Sequence, residues 1–404
     1  MKTLDDAPEV DMLFSLGEDS AAELERLRAR SGILRTPIGG LVVRRDLVVR
    51  LLADRRLRSS VLDLLRLQGV TEGITYDLMR HSILVAEGDA HMRLRKLVNR
   101  AFTPRAIDPH RPLMREVLAD LLDPLAGRSS CELVGEIADH YPIRVMCHLL
   151  GVPEDDHDDF AAWNKAITWV LSLELGAHLE EAEWGSAGLD DYVGRLVEER
   201  RRHPQDDMIT TLVQAEEAGD RLSDWELRAL VGGLLFAGFD TTRNQLGLAM
   251  ALFATHPDQW ALLAERPELA PRAVEEAMRI RGAVGGVPRV VVEPIEADGY
   301  HLPAGTMLML STGAANHDTA AFDHHETFDI TRQGEPQLGF GGGAHYCLGA
   351  NLARAELQEA LVVLARRMPG LALDGEPRWR TPLGIFGPEE LPVRWEETGS
   401  SSVA

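Results

Sequence analysis

The sequence predicts a mainly α-helical protein with a small β-rich region, and three observations carry that expectation. Apolar residues recur at helical spacing through 21–30, 91–101, 112–122, 153–175, 179–202, 207–218, 224–256 and 350–368. Strand signals are few: 40–44, 290–292 and 305–310, with Asp298-Gly299 as a turn between the last two. No repeat and no Pro/Gly/Ser linker divides the 404 residues, so 1–404 is expected to be a single domain with a disordered tail from about residue 395.

The longest predicted helix starts at Ser223-Asp224-Trp225-Glu226, a capping-box pattern, and stops before Pro257. Its middle, Ala237-Gly238-Phe239-Asp240-Thr241-Thr242, places glycine, a carboxylate and two hydroxyls inside an otherwise apolar span. A threonine hydroxyl there can donate to a backbone carbonyl and bend the helix, and polar groups buried in such a span call for a reason. His91 and Arg95, four apart, share one helix face.

Bulk properties exclude several functions. There are 64 acidic and 42 basic residues, a net charge of −22, which argues against nucleic acid as a partner. No 18-residue apolar run appears and the N-terminus lacks a signal-peptide pattern, so no membrane partner is expected. Cys131, Cys147 and Cys347 are too few and too scattered for a disulfide framework, which points to a reducing cytoplasm.

Phe340-Gly341-Gly342-Gly343-Ala344-His345-Tyr346-Cys347-Leu348-Gly349 is the most informative stretch. It sets a cysteine in a glycine-rich loop at the mouth of a predicted helix. Unpaired N–H groups there favour thiolate, the metal-binding form, and glycine lets backbone approach a flat ligand.

This stretch resembles the haem-ligand loop of the cytochrome P450 family, matching it at Phe340, Gly341, Gly343, His345, Cys347 and Gly349. The likeness extends from about residue 81 to Arg394 and implies the family's helix-rich triangular prism. It implies that Cys347 is the axial thiolate of haem b (iron protoporphyrin IX), with Phe340 packed near the sulfur. His91, Arg95, Arg289 and His345 are implied propionate ligands. Gly238 is implied to give room for dioxygen, and Asp240 and Thr241 to deliver protons through water.

Glu276 and Arg279 match the family's structural ion pair. A third member, an arginine before a phenylalanine, is replaced here by Thr327, so the network is either incomplete or completed by another group. By resemblance, the substrate pocket is expected at Leu234, Ala237, Val284, Gly285, Val287, Ile385 and Phe386, under a roof formed by 64–78. Small residues in Gly282–Gly286 suggest room for a medium or large apolar substrate.

No flavin or iron–sulfur motif is present, so electrons are expected from an external ferredoxin and ferredoxin reductase. Arg93, Lys96, Arg100 and Arg354 form the expected docking patch on a monomer. The expected activity is insertion of one oxygen atom from O2 into an apolar organic molecule: a secondary metabolite, terpenoid, steroid or fatty-acid-like compound. Oxidative coupling, desaturation, peroxygenase action and a non-catalytic haem sensor are the alternatives. A zinc site would need more ligands than His345 and Cys347.

Overall fold

The computed structural model describes residues 2–11, 21–205, 207–217, 222–380 and 384–396. Eight helices position the site: α1 (Val61–Leu67), α2 (Ile74–Arg80), α3 (Gly88–Val98), α4 (Tyr141–Leu150), α5 (Leu179–Arg202), α6 (Asp224–Thr255), α7 (Ala270–Ile280) and α8 (Ala350–Arg367). The largest apolar core surrounds α6, against which α4, α5, α7 and α8 all pack.

Local sequence explains the long central helix. The Ser223 hydroxyl accepts from the Glu226 N–H at 3.2 Å, and the Glu226 carboxylate accepts from the Ser223 N–H at 2.9 Å. Residues 244–254 of α6 are buried on every face, as a helix apolar all round must be.

A five-stranded sheet lies to one side, built from β1 (Ile33–Thr36), β2 (Gly39–Val42), β3 (Leu57–Ser59), β4 (Val287–Val291) and β5 (Met307–Leu310), in the order β1-β2-β5-β4-β3. Only β2 and β5 run parallel. Arg289 stands opposite Ser59 on one side and Leu308 on the other. A C-terminal hairpin of β6 (Arg378–Trp379) and β7 (Pro388–Glu390) packs beside α6.

Three expectations need correction. Asp298 and Gly299 do form a turn, with φ of 51° and 78°, but it closes a separate hairpin, Ile295–Ala297 with Tyr300–Leu302, inserted between β4 and β5. The predicted helix 153–175 breaks: the α-helix ends at Ile167, and a tighter turn, Thr168–Leu171, follows before extended Ser172. Thr168 donates to the Asn164 carbonyl at 3.1 Å, and the break turns Val170 to Leu173 over the internal cavity. Finally, Trp395 and Glu396 are tied by their N–H groups to Ser129 and Pro369, whereas 397–404 lie outside the described residues. Among the described residues, no helix is long and apolar enough to cross a membrane.

Candidate functional site

One cavity of about 1140 Å³ lies between α6 and the glycine-rich loop before α8. The loop is closed by its own backbone: the Cys347 N–H donates to the Phe340 carbonyl at 2.9 Å and the Gly341 N–H to the Leu338 carbonyl at 2.8 Å. Gly341 and Gly343 hold φ of +68° and +65°, and a side chain at Gly343 would collide with the Leu52 carbonyl. A side chain at Gly349 would meet nothing within 4 Å. The Phe340 ring lies under Arg354, whose guanidinium is 4.4 Å from the ring centre and is fixed by Glu275 at 2.6 Å and the Tyr346 hydroxyl at 3.0 Å.

The sulfur of Cys347 opens onto the cavity. Burial in the loop raises its thiol pKa more than the Gly349 N–H, Arg95 and Arg354 lower it. Burial thus opposes the helix-mouth effect expected at this sulfur. Coordination to a metal ion would deprotonate such a thiol outright.

A cationic corner forms at one end of the cavity. The His91 and His345 rings stand 4.3 Å apart. Arg95 donates to the carbonyls of Ala344 at 3.1 Å and Tyr346 at 2.6 Å, so it also clamps the cysteine loop. Arg289, 5% exposed, donates to the Pro288 carbonyl at 2.9 Å. Burial, then the charges of His345 and Arg95, push His91 down to about 4, so the ring is neutral at pH 7. Burial also lowers Arg95 and Arg289.

Sequence reasoning missed Glu87 as the carboxylate of this corner. It accepts from the Ser59 N–H at 2.7 Å and from His345 Nε2 at 3.2 Å. Burial raises its pKa, but these bonds and the nearby Arg289 carry it below the usual carboxylate range. Its signal was present in Glu87-Gly88-Asp89-Ala90-His91, one turn before the predicted ligand.

On the opposite wall, Thr241 donates to the Ala237 carbonyl at 2.9 Å, and both line the cavity. Gly238 also borders it, but the space its side chain would take is filled by the Met146 sulfur of α4, 2.7 Å away. Met146 itself lines the cavity, and the small Ala237 lines it beside Gly238. Asp240, 1% exposed, turns to the C-terminal hairpin: Arg380 grips it at 2.9 and 3.1 Å, and Asn244 donates to it at 3.0 Å. Neither partner was anticipated. Glu356 of α8 is wholly enclosed beside Thr242, and burial raises its carboxyl well above the usual range.

Leu234, Ala237, Val284, Gly285, Val287, Ile385 and Phe386 all line the same cavity, and Leu64, Thr75 and Leu78 line it from the predicted roof. Val284 bridges Ile385, and the Phe386 N–H donates to the Ala283 carbonyl at 2.8 Å. Side chains at Gly233 or Gly285 would meet nothing within 4 Å.

The expected docking patch is only half free-standing. Arg93 is paired with Glu226 and Arg354 with Glu275, whereas Lys96 and Arg100 are exposed beside Met92, itself 61% exposed. The structural network, by contrast, is complete. Arg279 binds Glu276 at 2.8 and 2.9 Å, and Arg332 supplies the third member at 3.0 Å. The Thr327 carbonyl accepts from both arginines, at 3.2 and 3.1 Å.

The family profile described as Cytochrome P450 matches residues 68–368. The chain belongs to the cytochrome P450 family. It is 38% identical over 376 residues to luteothin monooxygenase of Streptomyces thioluteus, covering 92% of each chain. It is 41% identical over 325 residues to mycinamicin IV hydroxylase/epoxidase of Micromonospora griseorubida, covering 79% of this chain and 81% of that one. The solved structure of the tirandamycin C-bound P450 monooxygenase TamI superposes with a TM-score of 0.83 at 33% identity, over 96% of this chain and 100% of that one. The protein is accordingly a P450 monooxygenase with haem b as its cofactor.

The residues present fit that cofactor. Arg95, Arg289, His91 and His345 gather at one corner, where Glu87 bonds His345 and lies near His91 and Arg289, leaving donors to spare for two propionates. The loop supplies an accessible sulfur beside a glycine with open space at its Cα.

Proposed function

We propose that Cys347 is the iron ligand and that the chain oxidises a medium or large apolar secondary metabolite. The observation that carries this reading is the pairing, across one cavity, of the Cys347 sulfur with the Ala237–Thr241 segment of α6. Bound haem supplies the iron centre at which dioxygen is reduced. The overall balance is RH + O2 + 2 H⁺ + 2 e⁻ → ROH + H2O.

The protein's residues then have separable tasks. The Gly349 N–H steadies the charge on sulfur, and Phe340, pinned by Arg354, keeps water from it. His91, Arg289 and His345 hold the propionates, joined by Arg95 through the second N–H of each terminal nitrogen. The Thr241 hydroxyl donates its hydrogen bond to the Ala237 carbonyl, so its lone pairs are left to accept from water. Asp240 replenishes protons along that water chain. The substrate lies under α1 and α2 against Leu234, Val284, Val287, Ile385 and Phe386, with the open sides of Gly233 and Gly285 setting the width available. The relatives named for luteothin and mycinamicin IV, and the tirandamycin C complex, support a secondary metabolite as substrate.

The reduced, CO-treated absorption spectrum tests the ligand: a strongly red-shifted Soret band is expected, and its absence would sink the proposal. Thr241→Ala should retain haem while diverting several-fold more reducing equivalents into peroxide, read as peroxide released per NAD(P)H consumed. Unchanged coupling would remove Thr241 from the proton path.

Electrons come from a ferredoxin reduced by its own reductase. Lys96 and Arg100 are the contact cations, with the exposed Met92, one helical turn before Lys96, as an apolar contact. Reversing both charges should slow the first reduction about tenfold at low salt and flatten its salt dependence. Stopped-flow reduction across a salt series checks this, and an unaltered salt slope would place docking elsewhere.

A further inference from the structure

We infer that Arg380 is a positioning residue for Asp240 and links the proton path to the substrate-contacting hairpin. This rests on the reading of Asp240 as a proton source. The carboxylate is 1% exposed, and both of its oxygens are reached by one terminal nitrogen of Arg380, whose side chain is itself only 16% exposed. Two charges so far from water are costly unless each satisfies the other, which fixes their mutual geometry.

The holder belongs to the element that touches the ligand. Arg380 follows directly on β6, and its N–H donates to the Gly387 carbonyl at 3.0 Å across the hairpin. Ile385 and Phe386, just before Gly387, line the cavity, and so does Arg380. Trp379 stacks on Phe386 with ring centres 5.6 Å apart. The hairpin also meshes with α6 beyond Asp240. A side chain at Gly387 would collide with the Asn244 amide, the same side chain whose other end donates to Asp240. Arg243 donates to the Pro388 carbonyl at 3.1 Å.

A displacement of Ile385 or Phe386 by an occupant therefore acts on the grip that holds Asp240 away from Thr241. Arg380 neither gives nor takes a proton in this scheme. It sets when the Asp240 carboxylate turns toward the cavity side, and the proton Asp240 passes on is replaced from solvent. Glu356, enclosed at the cavity wall, has no arginine among its described partners.

The experiment compares Arg380→Met, Arg380→Lys, Asp240→Asn and the Asp240→Asn/Arg380→Met pair, each as the haem-loaded protein. Peroxide per NAD(P)H and the solvent deuterium isotope effect on NAD(P)H consumption are measured with a surrogate ferredoxin and reductase. The urea midpoint of each loaded protein is measured alongside. Arg380→Met is expected to raise peroxide several-fold, change the isotope effect and lower the urea midpoint. Arg380→Lys should restore most of each. In the Asp240→Asn background, Arg380→Met should add nothing to peroxide yield or isotope effect and should recover part of the midpoint. Full additivity in that background, or an Arg380→Met protein with wild-type coupling and isotope effect while Asp240→Asn is impaired, would overturn the role of Arg380 alone. If Asp240→Asn itself leaves coupling unchanged, the proton path through Asp240 falls and this inference with it.

Discussion

Cys347→Ser gives a folded protein whose reduced, CO-treated spectrum lacks the strongly red-shifted Soret band and whose substrate oxidation falls to background. The substitution removes one polarisable atom and little volume. Serine keeps the loop's backbone bonds, because the Cys347 N–H to Phe340 carbonyl contact does not involve the side chain. What disappears is thiolate donation, which no alcohol supplies at neutral pH because it does not ionise there. Circular dichroism should match wild type while haem retention weakens. A serine variant that keeps the band would mean that another residue carries the iron, and the proposed orientation of the whole cavity would be wrong.

Arg279→Ala destabilises the protein by about 3–5 kcal/mol, the usual consequence of stripping one partner from a buried ion pair. Glu276 and Arg279 are 4% and 3% exposed, so the surviving carboxylate has little water to turn to. The loss also removes the Arg279 bonds to the carbonyls of Asn316 and His325, which tie α7 to the chain on the way to the cysteine loop, and leaves the Thr327 carbonyl to Arg332 alone. Arg332→Ala should cost less, because its side chain is 17% exposed and Arg279 still faces Glu276. Denaturant midpoints of the loaded proteins rank the two. Equal losses would mean that Arg332 contributes as much as the core pair. Adding Thr327→Arg to the Arg332→Ala variant should return part of the midpoint if charge at Glu276, rather than its point of entry, is what the fold requires.

The site was legible wherever chemistry dictates a residue type at a fixed backbone distance. Cys347, His345, Gly341 and Gly343 share one loop, and the two positive-φ glycines leave little alternative there. The helices were legible where periodicity was long, as in 179–202, whose bounds match α5. What could not be read was any partner brought in from afar. Arg380 meets Asp240 across 140 positions, and Glu87 meets His345 across 258. Neither spacing leaves a local pattern. The burial of Cys347 left no local pattern for a related reason: the helix mouth is local and visible in sequence, whereas burial is collective. Nor does sequence show that a side chain at Gly238 would meet Met146, a residue of another helix.

Arg332 reaches the Glu276 carboxylate from five residues beyond Thr327, the position where the resemblance implies an arginine. The constraint is therefore anchored in space and not in register. Motif tables written as letters at fixed offsets would score this chain as defective at a place where its electrostatics are intact.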